Sequence, residues 1–162
     1  MNKIVLDVCC GSRMFWFDKS DSRAIFVDKR CETWAADLGT ESTKGRTDIV
    51  INPDIIADFT NLPFQTNSFS LIVFDPPHIE QPEKTAGLLT KKYGSLTGDW
   101  REELRKGFAE CFRVLKPNGT LIFKWNEVRI PIKEILKLTD QKPLFGHISG
   151  KKMQTHWVAF IK

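Results

Sequence analysis

Cysteine is scarce in this 162-residue chain, and its four copies, Cys9, Cys10, Cys31 and Cys111, never fall into a C-x-x-C pair. That excludes the spaced ligand pairs of a zinc ribbon or finger. The three histidines, His78, His147 and His156, are equally ungrouped, so no metal centre is expected. No run of 18 apolar residues occurs, which leaves no candidate membrane span. The apolar start at residues 4–6 meets Asp7 too soon for a secretory h-region, and the expected compartment is the reduced cytoplasm. No internal repeat and no composition break is present, so residues 1–162 are expected to form a single domain. Tyrosine is nearly absent, one copy against twelve Phe and five Trp, so ring surface here is almost all apolar. The formal charge of +4 is compatible with nucleic acid as a partner but thin for tight binding, and nothing in the sequence sets an oligomeric state.

What is present is a series of short apolar runs, several of which end in a carboxylate. Residues 4–8 run into Cys9-Cys10-Gly11-Ser12 and predict a buried first strand entering a tight turn. Residues 13–19 allow about two helical turns, and residues 24–28 form a second apolar run ending in Asp28. A short helix is expected over 32–38 and a mobile polar loop over 39–47. A third strand is expected within 48–58, where Pro53 divides two β-like fragments. Residues 69–74 are the most strongly apolar run and stop at Asp75-Pro76-Pro77-His78. The two prolines lack an N–H and hold φ near −65°, so the chain leaves the sheet stiffly with a carboxylate and a carbonyl at the strand's edge.

Residues 79–98 are long and polar and predict a substrate-facing lid, partly helical over 85–92. Asp99 is placed to cap a helix whose apolar residues Trp100, Leu104, Phe108, Cys111, Phe112 and Leu115 share one face, with Pro117-Asn118-Gly119 ending it. A strand over 120–125, a short amphipathic helix over 130–138 and a strand pair over 143–148 and 155–161 complete the chain.

The order Asp7-x-x-x-Gly11, Asp28, Ala57-Asp58 before Leu62-Pro63-Phe64, Asp75-Pro76-Pro77-His78, and Phe112-Arg113-Val114-Leu115-Lys116-Pro117-Asn118-Gly119 resembles class I S-adenosylmethionine-dependent methyltransferases. Within them it is similar to the Asp-Pro-Pro-Tyr amino-methyltransferases, in the compact single-domain form found in phages and prophages. His78 stands where Tyr is usual, and Arg13 where a second glycine is usual. The resemblance implies an α/β, Rossmann-like fold: a mostly parallel seven-stranded sheet with an antiparallel C-terminal strand and helices on both faces.

It also implies S-adenosyl-L-methionine as cofactor, held by Asp7, Cys9, Cys10, Gly11, Ser12, Arg13, Asp28, Lys29, Asp58 and Phe59. In that scheme Asp28 meets the ribose hydroxyls, Asp58 the adenine amino group, and Arg13 is within reach of the methionine carboxylate. Read without the resemblance, Cys9 and Cys10 are small packing residues. Asp75, Pro76, Pro77 and His78 are the implied catalytic turn, with Tyr93, Trp125 and Asn126 as further substrate-binding candidates. The implied acceptor is a planar amino nitrogen, adenine N6 or cytosine N4 of DNA or RNA. A small-molecule or protein N-methyltransferase of the same fold, and a non-catalytic cofactor-binding module, remain open.

Overall fold

The strand predicted over 69–74 sits at the centre of the molecule. In the computed structural model, which describes residues 3–35, 41, 44–45, 48–79, 93–96 and 98–162, β6 is Phe69–Phe74. Its neighbours are β1 (Val5–Asp7) on one side and β7 (Leu115–Asn126) on the other, both parallel to it. Beyond β1 lie β2 (Ala24–Asp28) and β5 (Ile55–Ile56). Beyond β7 lie β9 (Thr155–Ile161) and the edge strand β8 (Phe145–Ser149). The sheet order is β5-β2-β1-β6-β7-β9-β8, with β9 the one strand running against the rest. This is the mostly parallel seven-stranded sheet with an antiparallel C-terminal strand that the resemblance implies.

Central parallel strands are buried on both faces, which is why β6 carries so little polar character. One face meets α1 (Trp100–Val114), whose buried stripe of Trp100, Leu104, Phe108, Cys111 and Phe112 is the predicted one. Asp99 caps it, with Oδ1 accepting from the Arg101 and Glu102 amides at 3.1 and 3.3 Å. Phe108 packs edge-on to Phe74 at 5.4 Å and against Phe123 at 4.9 Å, so helix and central strands share one aromatic cluster. The helix ends at Val114, before the predicted stop. Leu115 is already extended, and the next residue, Lys116, precedes a proline, which disfavours helical backbone and stops the helix from running on. Pro117-Asn118-Gly119 instead forms an irregularity in β7, tied to the last strand by Asn118 N to Lys162 O at 2.9 Å.

Gly107 lies inside α1, where glycine usually costs about 1 kcal/mol against alanine. A Cβ there would sit 2.7 Å from ring atoms of both Phe59 and Phe74. Overpacking of this kind costs about 1–3 kcal/mol, more than the helix gains. Gly107→Ala is therefore expected to lower stability by up to about 2 kcal/mol in urea denaturation. An equal or higher midpoint would show that the two rings yield.

Several expectations are corrected. Residues 13–19 form turns, not a helix: Arg13 N and Trp16 N reach back three residues, at 2.8 and 3.3 Å, and Gly11 and Arg13 both have left-handed φ, 49° and 53°. The helix expected from residue 32 starts instead as β3 (Glu32–Trp34), antiparallel to β4 (Ile49–Ile51). Thr33 and Trp34 suit a pleated surface, and Trp34 packs on Ile49 and Ile51. Only the second fragment of the expected third strand, β5, enters the main sheet.

The short C-terminal helix is α2 (Ile132–Ile135), continued as a 3-10 turn over Leu136–Leu138. Both α1 and α2 join the cluster on one face of the sheet; the other face, around Ala24 and Phe26, is covered by Trp16 from the turn segment rather than by a described helix. No described helix is long and apolar enough to cross a membrane. Most of the expected 39–47 loop and of the 79–98 lid, with its 85–92 helix, lies outside the described residues.

Candidate active site

The strand ends that open the first turn, the second turn and the Asp-Pro-Pro turn are adjacent in the sheet, because β1 lies between β2 and β6. At the carboxyl edge of such a sheet, loops diverge and leave a crevice. Here it is a cavity of about 520 Å³. The turn after β1 supplies Cys9, Cys10, Gly11 and Ser12, and the end of β2 supplies Asp28 and Lys29. Phe59, the turn Asp75-Pro76-Pro77-His78 and Tyr93 complete the sequence-predicted residues that line it.

Asp28 is nearly buried and well connected. Its Oδ2 accepts from Gly11 N at 2.9 Å, and its Oδ1 accepts from Arg30 N at 3.0 Å and Arg30 Nε at 3.1 Å. Arg30 Nη2 makes a longer contact to Oδ2 at 3.4 Å. Both cysteines of the first turn are kept as thiols. Burial pushes Cys9 well above its ordinary value and Cys10 up to about 12, so neither presents a thiolate.

Asp75 sits at the end of β6 with Oδ2 accepting from the Lys124 ammonium. Burial raises its pKa, and the adjacent Lys124 charge opposes that rise. His78 has its pKa lowered, chiefly by burial, and is therefore a neutral ring at pH 7. That ring stands 5.7 Å from Tyr93 and 6.4 Å from Trp125, edge-on to the latter.

Five predicted residues are outside the cavity lining. Asp7 is fully buried beneath it, its Oδ2 accepting from Trp16 Nε1 at 2.7 Å and its Oδ1 from Cys9 N at 3.3 Å. Burial lifts its pKa to about 7. Arg13 does not reach inward: its guanidinium donates to Lys19 O at 2.5 Å, Asn52 O at 2.8 Å and Asp54 Oδ1 at 3.2 Å, and lies 3.8 Å over the Phe26 ring. Asp58 closes its own turn, Oδ1 accepting from Thr60 N at 2.9 Å and Thr60 Oγ1 at 2.8 Å. Trp125 is core, with Nε1 donating to Ile130 O at 2.8 Å, and its ring meets the site at His78. Asn126 donates to Thr155 Oγ1 at 3.3 Å and accepts from Val128 N at 3.2 Å.

Sequence reasoning passed over Lys124, although a signal was there. Phe123 and Trp125 are core-sized rings, and strand alternation turns the residue between them to the opposite face. Arg30 and Trp34 also line the cavity without having been singled out, and Phe15, which in sequence reads with Trp16 and Phe17 as core, lines it too, while Phe17 is exposed.

No protein-family model matches the chain, and no curated protein matches it in sequence. Solved structures do resemble it. A TehB-like SAM-dependent methyltransferase from Corynebacterium glutamicum superposes with a TM-score of 0.59 at 16% identity, over 99% of this chain and 80% of that one. A Pyrococcus horikoshii protein gives 0.58 at 18% identity, over 99% and 82%. A SAM-dependent methyltransferase from Methanosarcina mazei gives 0.57 at 12% identity, over 100% and 94%. At 12–18% identity the likeness is one of fold: the seven-stranded sheet is shared with these solved structures, two of them SAM-dependent methyltransferases.

Proposed function

We propose that this chain is an S-adenosylmethionine-dependent methyltransferase whose acceptor is a planar amino nitrogen of a nucleic-acid base, adenine N6 or cytosine N4. The observation that carries the reading is that Asp75-Pro76-Pro77-His78 opens into the same cavity as the Gly11 turn and Asp28. The residues present fit the cofactor. Gly11 has a φ of +49° and open space where a Cβ would be, so backbone can approach a ligand closely. Asp28 offers a nearly buried carboxylate at the end of β2, and Phe59 an apolar wall. Of the contacts to the Asp28 carboxylate among the described residues, the 3.4 Å one from Arg30 Nη2 is the longest and is the one a ribose hydroxyl would replace.

When bound, the cofactor supplies a methyl group on a positively charged sulfur. The chain's task is to improve a poor nucleophile, since an amino group on an aromatic ring has its lone pair drawn into the ring. Asp75 and the Pro76 carbonyl accept its two N–H bonds and hold the lone pair directed at the methyl carbon. Because both prolines fix their backbone, that pair of acceptors is set before the substrate arrives, and such preorganisation is worth several powers of ten in rate. His78, a neutral ring, stacks on the base for about 1–3 kcal/mol. A duplex target must first leave the stack.

Labelled-methyl transfer to DNA, RNA and cell extract, followed by nucleoside mass spectrometry, tests the reading. Methylation confined to protein or a metabolite overturns the acceptor. Absence of both transfer and binding of S-adenosylhomocysteine overturns the whole. Asp28→Ala is expected to weaken binding of S-adenosylhomocysteine by about 1–3 kcal/mol in calorimetry, the cost of leaving polar partners unsatisfied. Equal affinity in a folded variant removes Asp28 from the site.

A further inference from the structure

The parallel register of β6 and β7 pairs Phe74 with Phe123, which brings the next residues, Asp75 and Lys124, side by side although 49 positions separate them in the chain. On the face away from α1, Lys124 pairs with Trp157 of β9. Its ammonium lies 5.6 Å from the centroid of that ring and 5.5 Å from Phe15, and the two rings meet edge-on at 5.8 Å. Both distances are within cation–π range. The ammonium is thus held on three sides, by two rings and the Asp75 carboxylate.

We propose that Lys124 is a positioning and selectivity residue for transfer: by occupying Asp75 Oδ2 it fixes the carboxylate plane, leaves Oδ1 to the acceptor nitrogen, and cancels the charge that would attract a cationic acceptor. This rests on the methyl-transfer reading above. A carboxylate held by one oxygen cannot turn about its last torsion, so the single remaining acceptor has one direction. The Lys124 charge also opposes the rise that burial imposes on the Asp75 pKa and so favours the ionised form, the only one that is purely an acceptor.

In the step itself the nitrogen lone pair forms the N–C bond and the S–C bonding pair returns to sulfur. The nitrogen, now positive, passes one N–H proton to Asp75 Oδ1, and the neighbouring ammonium favours its onward release to solvent. Before the step, ionised Asp75 and Lys124 are neutral overall, and the methyl donor would bring a positive charge of its own. A protonated alkylamine meets no compensating charge there, whereas an aromatic amino group needs none.

The test uses Lys124→Met, which keeps length and removes charge, and Lys124→Arg as the conservative variant. Lys124→Met is expected to lower kcat about 10²-fold at pH 7, the scale of a misplaced catalytic group. The acid limb of its pH profile should move up by about one unit or more, and the Asp75 carboxyl titration, followed by carbon NMR, should move with it. Lys124→Arg should restore most of both. Affinity for S-adenosylhomocysteine should stay within about threefold, a shift of under ~0.7 kcal/mol. If Lys124→Met does not fold, Lys124→Gln carries the same expectations.

Carboxyl titration needs no acceptor, so the two readings fail separately. Wild-type transfer with neither limb nor titration displaced in the folded variant overturns the role of Lys124 alone. Displaced titration in a protein that transfers to nothing overturns methyl transfer and the acceptor selection with it. Wild-type methylation of butylamine at pH 7 as fast as of an aromatic amine overturns the selection.

Discussion

Asp75→Ala is expected to lower methyl transfer by at least about 10²–10³-fold, the range lost when one preorganised polar partner is taken from a reacting centre. The argument is one of position. Asp75 follows directly on the central strand, and the prolines behind it prevent the turn from relaxing around a shorter side chain. No water-filled substitute would accept from the amine in a fixed direction. The loss should fall on kcat rather than on cofactor affinity, because among the described residues Asp75 bonds to Lys124, whereas the Gly11 turn bonds to Asp28.

The variant also leaves Lys124 without its carboxylate. In a fully buried pair that would cost about 3–5 kcal/mol, but both side chains keep roughly a quarter of their surface open, and about 1–2 kcal/mol is expected. Asp75→Asn should fall between: it keeps an acceptor oxygen and removes the site for the proton. Transfer assays alongside calorimetry with S-adenosylhomocysteine distinguish these outcomes. A folded Asp75→Ala enzyme within tenfold of wild type would remove Asp75 from the chemistry.

How far the site was legible depends on what each residue's placement required. Asp75 and its prolines could be read because a β-branched and aromatic run that stops at Asp-Pro-Pro has one reading, a buried strand leaving its sheet. The α1 stripe and the Asp99 cap were legible for the same reason, since period and cap are local. Lys124 became part of the site through register between strands distant in the chain, which no local pattern encodes. Arg13 shows the opposite failure. Its position in the first turn suggested an inward guanidinium, but the left-handed backbone at Arg13 aims the side chain at Asn52 and Asp54, which follow the β3–β4 hairpin. That hairpin was itself illegible, since three residues such as Glu32-Thr33-Trp34 are too few to show a period.

The absence of a helix over 13–19 has a consequence for the cavity floor. Two left-handed residues spend the turn quickly, and Trp16 returns across the sheet to seal Asp7 and pack edge-on to Phe26 at 4.8 Å. Asp28 and Asp75 have Arg30 and Lys124 beside them, while Asp7 has only neutral donors. Three carboxylates near one another cannot all ionise cheaply in such a place.

Asp7 should therefore give the protein a marked pH dependence of stability. Burial, the largest cause, raises its pKa from 3.8 to about 7, opposed by the bonds from Trp16 and Cys9. For an acid raised on folding, the folded protein binds the extra proton between the two values. The contribution of the group is fully present below about pH 4 and is lost as pH rises through about 7. Above that, folding carries the cost of burying a charge, on the order of 4 kcal/mol.

Asp7→Asn removes the charge but sets an amide NH₂ or a lost acceptor against the Cys9 N–H, at about 1–3 kcal/mol. The variant is thus expected to be less stable than wild type at pH 4 and of equal or greater stability at pH 8, so that the two urea-derived curves cross. Comparing the two proteins largely cancels other groups, His78 among them, whose lowered pKa acts with the opposite sign. Asp75 is coupled to Asp7 by charge and cancels less completely, which Asp7→Asn in an Asp75→Asn background would isolate. Curves that run parallel from pH 4 to 8 would mean that Asp7 is already ionised at the lower pH, and that the Trp16 and Cys9 bonds outweigh its burial.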